Sequence, residues 1–272
     1  MEESAARAAR YYRRAGWSPS TALENLGSAL FYGPKPVESA IAHCEQLLLQ
    51  HEGDRASEAN IVAWQGGLEA MRGGFDEARA LVARAKTIYQ ELGLQSGAVD
   101  ICGRVLAAVE MLALRPEKAE EALRESCELV QRLRQTPLLA TRAGELAAAI
   151  YEQDRYGEAE IWTELARDSA GTDDLDAAVS WQPTHAKILA RRGALAEAEQ
   201  FARETIERVR RTDSVNRHAD ALLALSEVLR IAGSEAEAPA VVQQAVRLYE
   251  AKGNLVSAER ARALLPDAAL AE

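Results

Sequence analysis

Apolar residues recur every three or four positions along most of the chain, and the runs end at a glycine, a proline or an aspartate. This pattern predicts helices separated by tight turns. The clearest unit spans Ala219 to Leu248. Its first helix puts Leu222, Leu225, Ser226 and Leu229 on one face and stops at Gly233, and a second helix from about Ala236 buries Val241, Val242, Ala245, Val246 and Tyr249. The small Ser226 lets the two helices approach closely, and glycine supplies a left-handed turn. The unit is a helix-turn-helix hairpin.

An alanine in the same setting recurs at Ala40, Ala78, Ala119, Ala159, Ala198 and Ala238, at intervals of 38, 41, 40, 39 and 40 residues. Glutamate precedes it at Glu77, Glu158, Glu197 and Glu237. The template predicts first helices near residues 58–72, 99–113, 140–152, 179–192 and 219–232. Gly66, Ala107, Ala147 and Ala186 occupy the close-approach position, with turns at Gly73-Gly74, Arg115-Pro116, Asp154 and Gly193. A looser sixth unit, Thr21 to Leu49, has Ser28 at close approach and a Gly33-Pro34-Lys35-Pro36 turn. Such units cannot bury their apolar faces alone and must stack into a solenoid.

The organisation read from this is a partial hairpin over residues 1–20, a repeat array over 21–265 and a tail over 266–272. Tyr12 with Gly16 matches Tyr89 with Gly93 and Tyr249 with Gly253, each pair marking the end of a second helix. Residues 3–15 therefore read as a second helix without its first partner, whose apolar edge a neighbouring domain would cover. Ser257 to Leu265 reads as a capping helix.

Gly66, Gly74-Phe75 and Glu77-Ala78 reproduce a small residue, a glycine-aromatic turn and a Glu-Ala pair. In this the chain resembles the tetratricopeptide family, although its period of about 40 exceeds the family's 34. The longer form, with segments such as residues 74–81 and 249–254, resembles the C-terminal arrays of bacterial signalling proteins. There such repeats follow a nucleotide-binding module of the AAA or STAND type, sometimes with an adenylate or guanylate cyclase domain. The resemblance implies an all-α fold, a right-handed superhelix of five to six hairpins, with first helices lining its concave face.

Composition agrees with close-packed helices: aromatics are 5% and prolines number 8. A net charge of −10 opposes binding to nucleic acid. The arginine clusters at Arg7, Arg10, Arg13 and Arg14 and at Arg203, Arg208, Arg210 and Arg211 read as solvated helix faces. Cys44, Cys102 and Cys127 lie in apolar helical stretches and read as reduced packing residues. Neither a membrane span nor a signal peptide is apparent, so the chain reads as soluble and cytoplasmic.

Catalytic signatures are missing: the glycines sit in helix turns, with no phosphate loop, dinucleotide fingerprint or nucleophile elbow. The reading is of a non-enzyme without cofactor or metal. His43, His51, His185 and His218 lack ligand spacing, and in Asp173-Asp174-Leu175-Asp176 helix capping outweighs calcium binding. Trp17, Trp64, Trp162 and Trp181 fit seams between hairpins better than a ligand-stacking role.

By template position, Arg104, Ala108, Tyr151, Lys187 and Arg191 point into the concave face, and Arg142 lies nearby on a first helix. Arg104, Tyr151, Lys187 and Arg191 are the candidate binding residues, forming a cationic groove suited to an acidic or carboxylate-terminated peptide. Solvated helix surface is the competing reading. Two functions follow: a protein-interaction scaffold, from a larger signalling protein and with a partner that could be intramolecular, or a small-molecule sensor like that of maltotriose-responsive activators. An open channel would favour the first, and a closed pocket walled by Trp64 or Trp181 the second.

Overall fold

A computed structural model describes residues 2–172, 174–234 and 236–266, the side chain of Arg13 excepted. Asp173, Arg13's side chain and residues 267–272 of the expected tail lie outside the described residues. The helices in order are α1 (Glu2–Arg14), α2 (Ser20–Tyr32), α3 (Val37–Gln50), α4 (Arg55–Met71), α5 (Phe75–Glu91), α6 (Cys102–Leu112), α7 (Pro116–Arg132) and α8 (Thr136–Tyr151). They continue with α9 (Tyr156–Ser169), α10 (Leu175–Arg191), α11 (Leu195–Val209), α12 (Val215–Ile231), α13 (Ala238–Lys252) and α14 (Leu255–Arg262). Among the described residues there is no strand.

The expected first helices are α4, α6, α8, α10 and α12. Four begin a turn earlier than the apolar pattern shows, each following a polar residue: Asp54, Gln135, Asp174 and Ser214. Asp54 accepts from Ser57 N at 3.1 Å, and Asp174 accepts from Ala177 N at 3.0 Å. Asp174 is therefore a helix cap, the role expected of it. The exception is α6, preceded by a π-helical turn at Gly97–Ile101 that brings Asp100 into the interior.

Hairpins close where the repeated small residues predict. Ala78, Ala119, Ala159 and Ala198 are fully buried, and a Cβ at Gly66 would stand 2.8 Å from the Ala78 carbonyl oxygen. Gly16, Gly93 and Gly253 all take positive φ, which explains their matching places after second helices. Trp64 and Trp181 fill seams: Trp64 packs over Gly27 and Phe31, and Trp181 against His185 and Phe201. Trp17 is exposed, stacked on Tyr12 just past the end of α1. The three thiols are buried, which pushes each pKa up to about 12.

The array curves until its last helices meet its first. Lys252 at the end of α13 is wholly buried, and its ammonium donates to the Leu30 and Lys35 carbonyls at 2.6 and 2.7 Å. Asn216 on α12 donates to the Phe31 carbonyl at 3.1 Å, and Asn254 bridges to Asn216 at 3.3 Å. Arg260 on α14 donates to the Met111 and Leu112 carbonyls. Leu30, Phe31, Met111 and Leu112 are in the last turns of α2 and α6, where carbonyls run out of partners within the helix. Donors from the C-terminal helices bind them, Met111 also accepting from Leu114 N at 3.2 Å, and Lys252 and Arg260 bring positive charge to the negative helix ends. Thus α14 does more than cap the array; it fastens the final hairpin to the interior of the early ones.

Candidate functional site: a central cavity with an ionic lining

Closure converts the concave face into a cavity of about 840 Å³. Its walls come mainly from first helices: Tyr32 of α2, Arg104 and Ala108 of α6, Glu145 of α8, Lys187 of α10, and Arg217, Asp220, Leu223 and Glu227 of α12. Tyr249 and Arg260 close the C-terminal side, and Met111, Leu112 and Leu114 give an apolar stretch. Neither Trp64 nor Trp181 walls it.

Of the four candidate residues, Arg104 and Lys187 line the cavity, while Tyr151 and Arg191 do not. The structure brings three of them together. The Lys187 ammonium sits 3.9 Å from the Tyr151 ring centre, and the Arg191 Nε donates to the Tyr151 hydroxyl at 2.5 Å. Glu227 binds all three, accepting from Tyr151 at 2.6 Å and Arg191 at 2.9 Å and standing 3.6 Å from Lys187. Burial raises the Glu227 pKa, but Lys187, Tyr151 and Arg191 together pull it below the usual range. Lys187 also meets Glu152 at 3.1 Å. These cations are thus embedded in an acid-bearing network, and the groove is not simply cationic.

Arg104 belongs to a second network. Its guanidinium pairs with Glu145 at 2.8 Å, with Nη2 off the hydrogen-bonding direction. Arg217 bonds Asp176 and lies 3.7 Å from Glu145, and Arg142 pairs with buried Asp100 at 2.6 and 3.0 Å. Tyr32 lies between two guanidiniums, 4.3 Å from Arg217 and 5.2 Å from Arg104. Burial disfavours charge on Asp100, yet Arg142, Ser126 and Arg104 hold its pKa below the ordinary value. Residues from α6, α8, α10 and α12 are therefore tied at the inner surface, which fixes the shape of the cavity.

Sequence reasoning found Arg104 and Lys187 because long cations on a first-helix face stand out. It missed Glu145, Arg217, Asp220 and Glu227, whose inward direction shows only once the hairpins are superimposed unit by unit. The His43 and Cys44 pair forms no metal cluster with other described side chains; His43 instead contacts Lys35 at 3.0 Å. Among the described residues, no helix is long and apolar enough to cross a membrane.

No family model and no curated protein matches the sequence. Solved structures do resemble the fold. NprR in complex with its cognate peptide NprX matches with a TM-score of 0.65 at 11% identity, over 90% of this chain and 72% of that one. A Rap protein complexed with competence and sporulation factor matches at 0.56 and 17%, over 84% and 69%. BtubC from P. vanneervenii matches at 0.54 and 17%, over 79% and 91%. The chain has the tetratricopeptide-like fold, an all-α helical solenoid.

Proposed function

We propose that this chain is a peptide receptor without catalytic activity, holding a short peptide in the central cavity. The observation that carries the reading is the cavity itself. Stacked first helices enclose about 840 Å³, with polar groups held in place by ion pairs before any ligand arrives. Side chains already fixed lose little conformational entropy on binding. Arg104 and Lys187 face the peptide, while Tyr151 and Arg191 hold Lys187 and Glu227 in position. The peptides bound in related folds, as in the NprR complex, support the same reading. Receptor arrays of this kind suit a cytoplasmic protein-interaction role within a larger bacterial signalling chain, such as one carrying an ATPase or cyclase module.

The test is retention of a pool of short synthetic peptides by the full chain, repeated with Ala108→Trp and Ala224→Trp. Both alanines line the cavity, and neither belongs to the ionic networks. Retention by wild type and its loss in both folded variants is the expected result; equal retention by folded variants places the peptide elsewhere. A cavity of this size also lies within the roughly 300–1,000 Å³ typical of small-molecule pockets. A metabolite that co-purifies with wild type but not with the blocked variants would favour an effector sensor instead.

A further inference from the structure

Most charges in the cavity lining are neutralised within the protein, so those that are not identify what the lining could offer a ligand. Glu145, Glu152 and Glu227 each have a cation within ion-pair distance. Asp220 has none among the described residues. Its described bond is from the Tyr249 hydroxyl to one carboxylate oxygen, and the carboxylate stays accessible from the cavity. Glu117 also lacks an ion pair among the described residues, but it lies in the first turn of α7, where the helix dipole favours a negative charge.

The cations sort the same way. Arg104, Lys187 and Arg217 are paired with carboxylates, and Arg260 is bound to backbone carbonyls. Arg230 is accessible, and among the described residues its bond is a long one of 3.4 Å to the Ser226 carbonyl of its own helix. Asp220 and Arg230 are both on α12. They stand ten positions apart, which a helical rise of about 1.5 Å per residue converts to about 15 Å. Between them Leu223 and Ala224 give an apolar floor. An extended chain covers about 15 Å with four or five residues.

Resting on the peptide-receptor reading, we propose that α12 measures its ligand by both ends. Asp220 takes the free α-amino group of a peptide of about four or five residues, and Arg230 takes its α-carboxylate. Tyr249 orients the Asp220 carboxylate through its hydroxyl and leaves the second oxygen for the ammonium. Burial pushes the Asp220 pKa up to about 6, against smaller lowering effects of Tyr249, Arg217 and Lys187. A bound ammonium would give that carboxylate the cation it lacks among the described residues. At neutral pH the group is still ionised.

The experiment is equilibrium dialysis of the full chain at neutral pH against three random pentapeptide pools, free-ended, N-acetylated and C-amidated, with retained peptides read by mass spectrometry. The expected result is retention of the free-ended pool and about tenfold weaker retention of each blocked pool, the loss that follows one charge-assisted hydrogen bond. Asp220→Asn should make retention insensitive to acetylation alone, and Arg230→Gln insensitive to amidation alone. Equal retention of free and blocked pools by wild type overturns end recognition while leaving the peptide receptor intact. If wild type retains none of the pools, the receptor reading fails and end recognition fails with it. The blocking comparison uses wild type alone, so it decides the matter even if a variant does not fold.

Discussion

Lys252 donates through its ammonium to the carbonyl of Leu30, a residue 222 positions earlier in the chain. With the second bond to Lys35, this joins the end of the last hairpin to the turn after α2. A buried charged donor on two carbonyls is worth more than an ordinary hydrogen bond, because its removal takes a partner from both acceptors at once. Lys252→Met keeps the length and apolar stem but removes the donor. We expect a loss of about 2–3 kcal/mol in urea denaturation. Faster amide exchange around residues 30–35 should accompany it, and unchanged exchange there would show that closure does not depend on this bond.

The same lysine makes stability depend on pH. Burial lowers its pKa from 10.5 to about 8, with smaller effects from Glu2, Lys35 and Cys44. Between those values the unfolded chain keeps a proton that the folded chain has released. Stability contributed by this site therefore rises with pH across that window and is level on either side of it. The buried cysteines, whose pKa values burial pushes up to about 12, act the opposite way above their ordinary value and are common to both proteins. The stability difference between wild type and Lys252→Met should therefore widen from pH 8 to about 10.5. A difference constant with pH would mean that Lys252 keeps an ordinary pKa.

The hairpins were legible in the sequence because their causes are local. Gly66 meets Ala78 within one hairpin, and the repeated alanines mark each seam at nearly constant spacing. Closure was not legible, since Lys252, Asn216 and Arg260 read as ordinary polar helix residues and their partners are backbone carbonyls, which carry no sequence signal. The candidate site was half legible. Arg104 and Lys187 follow from a helix face, but Tyr151 and Arg191 do not line the cavity, and the acids that neutralise the groove come from neighbouring units.

Asp100 and Arg142 form the most deeply buried ion pair among the described residues. Arg142→Met should cost about 3–5 kcal/mol, because a carboxylate is left in the interior without its cation. Adding Asp100→Asn removes the stranded charge and should recover most of the loss. The chemical denaturation midpoints of both variants check this, and a double variant no more stable than the single would show that packing, not charge, sets the cost.

Ala159 and Ala198 are fully buried where second helices meet first helices. Ala159→Leu or Ala198→Leu adds a branched side chain where the backbones approach closely. We expect a loss of about 1–3 kcal/mol from overpacking, measured by the same denaturation. Two unchanged midpoints would place the seam elsewhere.

Read from sequence alone, Lys187 and Arg191 are exposed groove cations, and their reversal to glutamate should abolish binding without moving the melting temperature. The structure changes the second half of that expectation. The Lys187 side chain is 12% exposed and lies against Tyr151, Glu152 and Glu227, while Arg191 bonds both Tyr151 and Glu227. Reversal would put two new carboxylates beside Glu227 and Glu152, so attraction gives way to repulsion in a partly desolvated wall. The double reversal should lower stability by about 2–4 kcal/mol, the loss seen when hydrogen-bonded charge pairs are broken. Restoring compatibility with Glu227→Gln should regain part of it. Lys187→Gln with Arg191→Gln should be milder, and its effect on retention of free-ended peptides then reports on the cavity wall rather than on folding. If the reversed variant melts like wild type, the Tyr151, Arg191 and Glu227 cluster is not formed in solution.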